Sequence, residues 1–352
     1  VSDLPEDGDR PRLDPRRLVY RWDLDKTYLR TEFDTLGDLF RTALESASDK
    51  RTVPGAPALL RELRATAPLG IYIVSGSPEQ LRGVLEAKLR LDGIRWDGFV
   101  LKPQLHSLLR GRFRNLRDQV GYKLGVLLES RATMPRDVDE FLFGDDAEAD
   151  AFIYSIYSDL SAGRVGPEVL SAVLRRAGVY DADLPRLVSL AQRLPRKDGT
   201  RRIFIHLDRV SSPAVFAEFG QRVCPFYNYF QPALVLHDEG ALDVGGVLRV
   251  GAELIVSHAF TGDALAASYR DLVLRGHLDP RRGEELVEAC ATLEDSHFPT
   301  TAPTLQVFGE ELAELLGSCE PPPVTARPSI DYVGLFSRDK DRARRARRRS
   351  RR

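Results

Sequence analysis

Asp23 and Asp25 stand two residues apart in Asp23-Leu24-Asp25-Lys26-Thr27, at the end of the apolar run LVYRW. Side chains of an extended chain alternate with period two, so both carboxylates emerge on one side. A carboxylate placed this way can attack phosphorus and form an aspartyl-phosphate, which divides one hard step into two. Asp23 is the candidate nucleophile. Asp25 is the candidate acid for a leaving alcohol and the base that then activates water. Thr27 would hydrogen-bond near Asp25 and lie close to a bound phosphoryl group. Asp and Thr also favour turns and helix N-caps, which is the structural alternative.

Three later segments supply what such a nucleophile needs. Ser75-Gly76-Ser77-Pro78 follows the apolar run GIYIV. Ser75 and the backbone around Gly76 could bind phosphoryl oxygens, while Ser77 as N-cap and Pro78 as first helical residue would start a helix. Lys123 is one of only seven lysines against forty-four arginines. Its ammonium could neutralise a phosphoryl group and the Asp23 carboxylate; Lys102 is the competing candidate. Gly144-Asp145-Asp146-Ala147-Glu148-Ala149-Asp150 follows the run EFLF. Acids clustered there predict a hard cation, for which Mg2+ is the choice because it accepts two carboxylates, a carbonyl and several waters. Asp23, the carbonyl of Asp25 and Asp145 form the expected ligand set. Asp146 and Asp150 are expected to bind the lysine or metal-bound water. Glu148 reads as an acid in a first helical turn.

The elements that must position these residues alternate in type. Strands are predicted at 18–22, 70–75, 98–101, 140–144, 202–207 and 233–237. Helices are predicted at 36–46, 56–66, 78–90, 115–130, 147–160, 166–177 and about 183–193. This alternation predicts an α/β fold, a Rossmann-like, mostly parallel sheet with helices on both faces. Ligands of such sheets gather at the carboxyl ends of the strands, where the four polar segments fall. Further helices are predicted at 263–275, 280–293 and 305–316. The domain reading is a disordered 1–16, a catalytic α/β domain over 17–244, a helical segment over 245–318, and a proline-containing linker with a basic tail over 319–352. Too few residues separate the motifs for a large cap, so an open site is expected.

The four segments, in this order, resemble the haloacid dehalogenase-like hydrolase superfamily over roughly residues 17–160. SGSP and GDDAEADAFIY are most similar to the bacterial domain related to the phosphatidate phosphatase of fungal actin patches. In that domain the strand ends in Ser-Asn-Ser-Pro and the acidic motif contains Gly-Asp-Ser. Here Gly76 and Asp146 replace the Asn and Ser, and Lys26 stands where that domain usually has Asp. The resemblance implies a magnesium-dependent phosphomonoester phosphatase, with a phospholipid such as phosphatidate as one substrate class. A nucleic-acid end phosphatase and an inactive phosphate- or partner-binding domain are the alternatives.

Composition narrows the classes further. Hydrophobic residues make up 43% of the 352, enough for a substantial core. No run of about eighteen apolar residues predicts a membrane span. The polar N-terminus is unlike a secretory segment, and a cytoplasmic location is expected. Cys224, Cys290 and Cys319 form no CxxC pair, and the six histidines show no HExxH spacing, so a zinc site is not expected. His237-Asp238-Glu239 reads as an ordinary polar loop. Residues 338–352 hold ten Lys or Arg and two Asp, a net +8 that leaves −9 for the rest of a chain of net charge −1. Such a run is a solvated tail, a contact for an anionic membrane, or a contact for nucleic acid.

Overall fold

The structure is a computed structural model that describes residues 12–29, 52–102, 116–293, 298–318 and 329–335. The predicted helix 36–46, the linker 320–328, the basic tail, His106, His297 and Cys319 lie outside the described residues.

Six strands form one sheet: β1 (Leu18–Asp23), β2 (Gly70–Pro78), β3 (Gly98–Lys102), β4 (Asp139–Asp145), β5 (Thr200–His206) and β6 (Val223–Phe226). Their order is β3-β2-β1-β4-β5-β6 and the sheet is wholly parallel. This is an α/β, Rossmann-like fold. A parallel sheet is buried on both faces, which explains why its strands read as continuous apolar runs. All six residues of β1 are buried, including Arg21 and Asp23. Alternate side chains divide between the faces. One face carries a row of rings: Tyr20 stacks on Phe141 at 5.6 Å, Trp22 on Phe143 at 4.0 Å and Phe143 on Phe204 at 4.8 Å. The other face offers Leu142, Ile203 and Ile205 to a cluster of helix side chains.

Those helices are among the eleven α-helices of the described residues, which alternate with or follow the strands. In chain order they are α1 (Ala56–Ala65), α2 (Arg82–Leu91), α3 (Leu116–Ala132), α4 (Asp150–Ser161), α5 (Pro167–Ala177), α6 (Leu184–Arg193), α7 (Phe230–Asp238), α8 (Val244–His258), α9 (Gly262–Leu274), α10 (Glu284–Ala291) and α11 (Ala302–Leu316). Leu124 and Leu128 of α3, Ile153 and Ile156 of α4, Leu170 and Val173 of α5, and Leu187 of α6 fill the core over that face. Tyr332 and Leu335, near the C-terminus, also join it. Tyr332 donates its hydroxyl to buried Asp159 at 2.6 Å.

The chain divides into two compact units. The α/β unit comprises Val19–Val53, Gly70–Tyr227 and Thr325–Arg352; the helical unit comprises Val1–Leu18, Pro54–Leu69 and Asn228–Val324. Within the helical unit, Phe230 of α7 meets Phe308 of α11 edge-on at 5.4 Å, and Arg249 of α8 pairs with Glu62 of α1 at 2.7 Å.

Two elements differ from the sequence reading. Residues 233–237, predicted as a strand, belong to helix α7. Seven of its first seven residues are buried, so its apolar run has no polar face to reveal the helical period. The sixth strand is instead Val223–Phe226, a four-residue edge strand that contains Pro225. Proline is tolerated there because an edge strand leaves one row of backbone groups unpaired. Helix α8 was also unforeseen. No described helix is long and apolar enough to cross a membrane.

Candidate functional site

The order of the strands reverses between β1 and β4, which are neighbours in the sheet. Parallel sheets bind ligands at this switch point, beyond the carboxyl ends of the strands. Asp23 is the last residue of β1 and Asp145 the last of β4. The two candidate metal ligands therefore flank the crevice.

Beyond Asp23 the chain closes tightly on itself. The Leu24 carbonyl accepts from the N–H groups of Tyr28 and Leu29, at 3.0 and 2.9 Å, and Lys26 N–H donates to the Leu29 carbonyl at 2.7 Å. Lys26 takes a φ of +61°, in the left-handed region. His206, at the end of β5, bonds through Nδ1 to the Lys26 carbonyl at 2.8 Å. A carbonyl only accepts, so the proton lies on Nδ1. The sequence offered no spacing that would have singled out His206; its place emerges from the pairing of Asp145 with His206 across β4 and β5.

Lys123, on α3, reaches three carboxylates: Asp150 Oδ1 at 2.6 Å, Glu148 Oε2 at 2.7 Å and Asp23 Oδ1 at 2.9 Å. Lys102, the competing lysine, ends β3 and is half-buried. Gly144 makes room for this arrangement. A Cβ there would lie 2.5 Å from the Asp150 Cβ, closer than any side chain tolerates. Asp145 is held by its Oδ1, which accepts from Ala147 N–H at 2.6 Å and Glu148 N–H at 2.9 Å. Its Oδ2 is buried and has no hydrogen-bond partner among the described residues.

One ligand atom from each of Asp23, Asp145, Glu148 and Asp150 lies within 4.8 Å of all the others. Octahedral magnesium at about 2.1 Å from each oxygen places opposite ligands about 4.2 Å apart, so the cluster has the size a small divalent cation requires. Four carboxylates face one ammonium in a dry setting. Burial raises the Asp23 and Asp145 carboxyls well above the usual carboxylate range, and the neighbouring acids add to the effect while Lys123 opposes it. Burial likewise lifts Asp150 to about 6. Burial works against the charge of Lys123, but Asp150, Asp23 and Glu148 overcome it and hold its ammonium well above the usual lysine value. An excess of buried anionic oxygen, with one atom left unpartnered, fits a cation.

Asp25 has different partners. Ser75 Oγ and Ser77 Oγ both donate to its Oδ2, each at 2.8 Å. Strand β2 runs through to Pro78, so the two serines share a side by the period of two. Ser77 is thus not the helix N-cap the sequence predicted. The following 3-10 turn, Glu79–Leu81, has Pro78 at its N-cap position and α2 begins only at Arg82. Burial raises the Asp25 carboxyl, and the two serine hydroxyls partly offset it. A Cβ on Gly76 would meet nothing, so that residue leaves open space beside the serines. Tyr122, next to Lys123, donates its hydroxyl to the Ser75 carbonyl at 3.1 Å and ties α3 to this strand end.

The other expected residues are brought close but used differently. Thr27 Oγ1 donates to Asp23 Oδ2 at 3.3 Å. Asp150 binds the lysine as expected. Asp146 turns to another loop: its two oxygens accept from Arg209 N–H at 2.8 Å and Ser211 N–H at 3.1 Å. Glu148, read from sequence as a helix-start acid, is a member of the cluster. The signal was its position three residues after Asp145, one turn along, where a tight turn returns it to the same place. His237-Asp238-Glu239 ends α7 in the helical unit, with His237 Nδ1 on the Leu242 carbonyl at 3.1 Å. Cys224 and Cys290 are buried, and neither is in a disulfide among the described residues.

No protein-family model, curated protein or solved structure matches the chain. Its function must therefore be argued from this geometry.

Proposed function

We propose that the chain is a magnesium-dependent phosphomonoester phosphatase acting through an aspartyl-phosphate on Asp23, as in the haloacid dehalogenase-like hydrolases that its motifs resemble. The observation that carries the reading is one constellation: Asp23, Lys123, Asp145 and Asp150 meet at the switch point of a parallel sheet, with Asp145 Oδ2 unpartnered. Three segments far apart in sequence converge there, and a fourth joins them through the hydrogen bond of Ser75 to Asp25.

Asp23 and Asp145, joined by the Asp25 carbonyl, are the groups that would hold magnesium, which supplies charge neutralisation to the phosphoryl oxygens when bound. An Asp23 oxygen attacks phosphorus while the bond to the ester oxygen breaks. Asp25 gives its proton to the departing alcohol; its raised carboxyl favours the protonated form this requires. Asp25, now ionised, accepts a proton from water. The water oxygen attacks phosphorus, the bond to Asp23 breaks, and phosphate leaves with the enzyme restored. Lys123 faces the charge that grows on the phosphoryl group, and Asp150 aims it. The Ser75 hydroxyl, on turning away from Asp25, and the Gly76 backbone supply hydrogen bonds to phosphoryl oxygens, and Thr27 orients Asp23.

A phospholipid such as phosphatidate is the substrate class we favour. The run at 338–352, net +8, would hold the enzyme against an anionic surface at about 1 kcal/mol per basic residue. Deleting 338–352 should then abolish co-sedimentation with anionic vesicles; unchanged binding would remove this support. The activity itself is tested by phosphate release from p-nitrophenyl phosphate, phosphatidate, sugar phosphates, nucleotides and 3′- or 5′-phosphorylated oligonucleotides. Release from at least one, lost on chelation and restored by magnesium, is expected. No release from any of them, or release indifferent to chelator, contradicts the proposal.

A further inference from the structure

The Lys123 ammonium has three N–H donors, and three carboxylates stand around it, those of Asp150, Glu148 and Asp23 at 2.6, 2.7 and 2.9 Å. Only Asp150 accepts a hydrogen bond from that ammonium; Asp23 and Glu148 pair with it by charge, and a phosphoryl oxygen can come up to Lys123 only by taking the place of one of the three. The three are not held equally. Asp150 is fully buried, sits against Gly144, and also accepts from Asp145 N–H at 3.2 Å. Asp23 is fully buried at the end of β1 and carries the Thr27 hydroxyl on its second oxygen. The Glu148 side chain is 22% exposed, against 1% for Asp23 and 0% for Asp150. Its main chain is fixed by Asp145, whose Oδ1 accepts from Glu148 N–H at 2.9 Å. The side chain alone is thus able to swing.

We propose that Glu148 is an internal competitor for substrate: its carboxylate holds the place beside the Lys123 ammonium that a phosphoryl group needs, and it swings outward when one binds. This rests on the phosphatase reading of the site and adds a gate to it. The argument is one of charge and of access. An arriving phosphate dianion meets four carboxylates and a single ammonium. Only the departure of Glu148 both clears a place beside Lys123 and removes a negative charge without disturbing the nucleophile or the acid that aims the lysine. Glu148 has the solvent path to do so, and its three side-chain rotors let it leave without moving the backbone. With no substrate present it adds a third anion beside the buried Lys123 cation.

The test is calorimetric titration of inorganic phosphate into the full chain, with magnesium present and absent, for wild type, Glu148→Gln and Glu148→Ala. Melting temperature confirms folding, and a magnesium titration reports the cation site separately. Both variants should bind phosphate about tenfold more tightly than wild type or better, with magnesium affinity little changed. The proposal is overturned if both fold and bind phosphate as wild type does, or more weakly. It is also overturned if they lose magnesium, which would make Glu148 a cation ligand. Wild type that hydrolyses phosphomonoesters while the variants bind phosphate unchanged removes the gate alone. Wild type and variants that neither hydrolyse nor bind phosphate remove the phosphatase reading, and the gate with it.

Discussion

Asp25 carries two hydroxyl donors on one oxygen, from Ser75 and Ser77. Both stabilise its ionised form, against a burial that favours the neutral one. Asp25, the acid and base of the proposed reaction, is therefore tuned by opposing influences. In Ser77→Ala one of the two donors is lost, so the Asp25 carboxyl should rise. The limb of the pH–rate profile that reports Asp25 should move to higher pH, with Ser75 still present to bind substrate; an unmoved limb would detach Ser77 from the acid–base step. Much of this neighbourhood was legible in the sequence. Asp23, Ser75, Asp145 and Asp150 stand out as residue types that phosphoryl transfer needs in segments that follow apolar runs, and Lys123 by the scarcity of lysine. Ser77, Glu148 and His206 were not legible in their roles. A helix start explained the first two from local preference alone, and only the pairing of β4 with β5 brings His206 to Lys26. Asp146 shows the reverse case, a carboxylate beside the site whose oxygens serve the 209–211 backbone.

At the scale of elements, strand ends position the chemistry and loops lock it. Five of the six strands could be read from sequence because strands buried on both faces are continuous runs of β-branched and aromatic residues. The same property hid α7, whose buried run also lacks a polar stripe. Helix α8 escaped because Gly245, Gly246 and Gly251 lower helical propensity, yet Asp243 caps it by accepting from Gly246 N–H at 2.6 Å. The loop after β5 shows a different economy. Val210 is 79% exposed and holds a φ of +55°, while Asp146 grips the amides on either side. A β-branched residue in that region is strained by about 1–2 kcal/mol. Val210→Gly should relieve the strain and, after the flexibility that glycine adds to the unfolded chain, stabilise the protein by about 0.5–1 kcal/mol. A urea midpoint that rises supports this; an unchanged or lower midpoint shows that the loop is not strained.

The α/β unit places its acidic cluster where ionised carboxylates are most costly, in a buried site. For Asp150 the folded-state pKa of about 6 lies above the unfolded value of about 3.9. Between these values the folded chain binds more protons, so stability of the metal-free protein falls as pH rises through the window. Asp23 and Asp145 are raised too and act in the same direction. Moving from pH 7.5 to pH 5.5 should therefore stabilise metal-free protein, by about 1 kcal/mol from Asp150 alone. Saturating magnesium should raise the melting temperature at pH 7.5 and flatten this dependence, because a bound cation favours the ionised carboxylates. Melting curves at the two pH values, with chelator and with magnesium, check both signs. A metal-free protein most stable at pH 7.5, with no response to magnesium, would show that the acidic cluster is not a cation site. The central claim, that Asp23 is the nucleophile, is tested most directly by the rate of magnesium-dependent phosphate release from p-nitrophenyl phosphate by wild type and by folded Asp23→Asn. The account predicts a loss of about a thousandfold or more in the variant; release at the wild-type rate would contradict it.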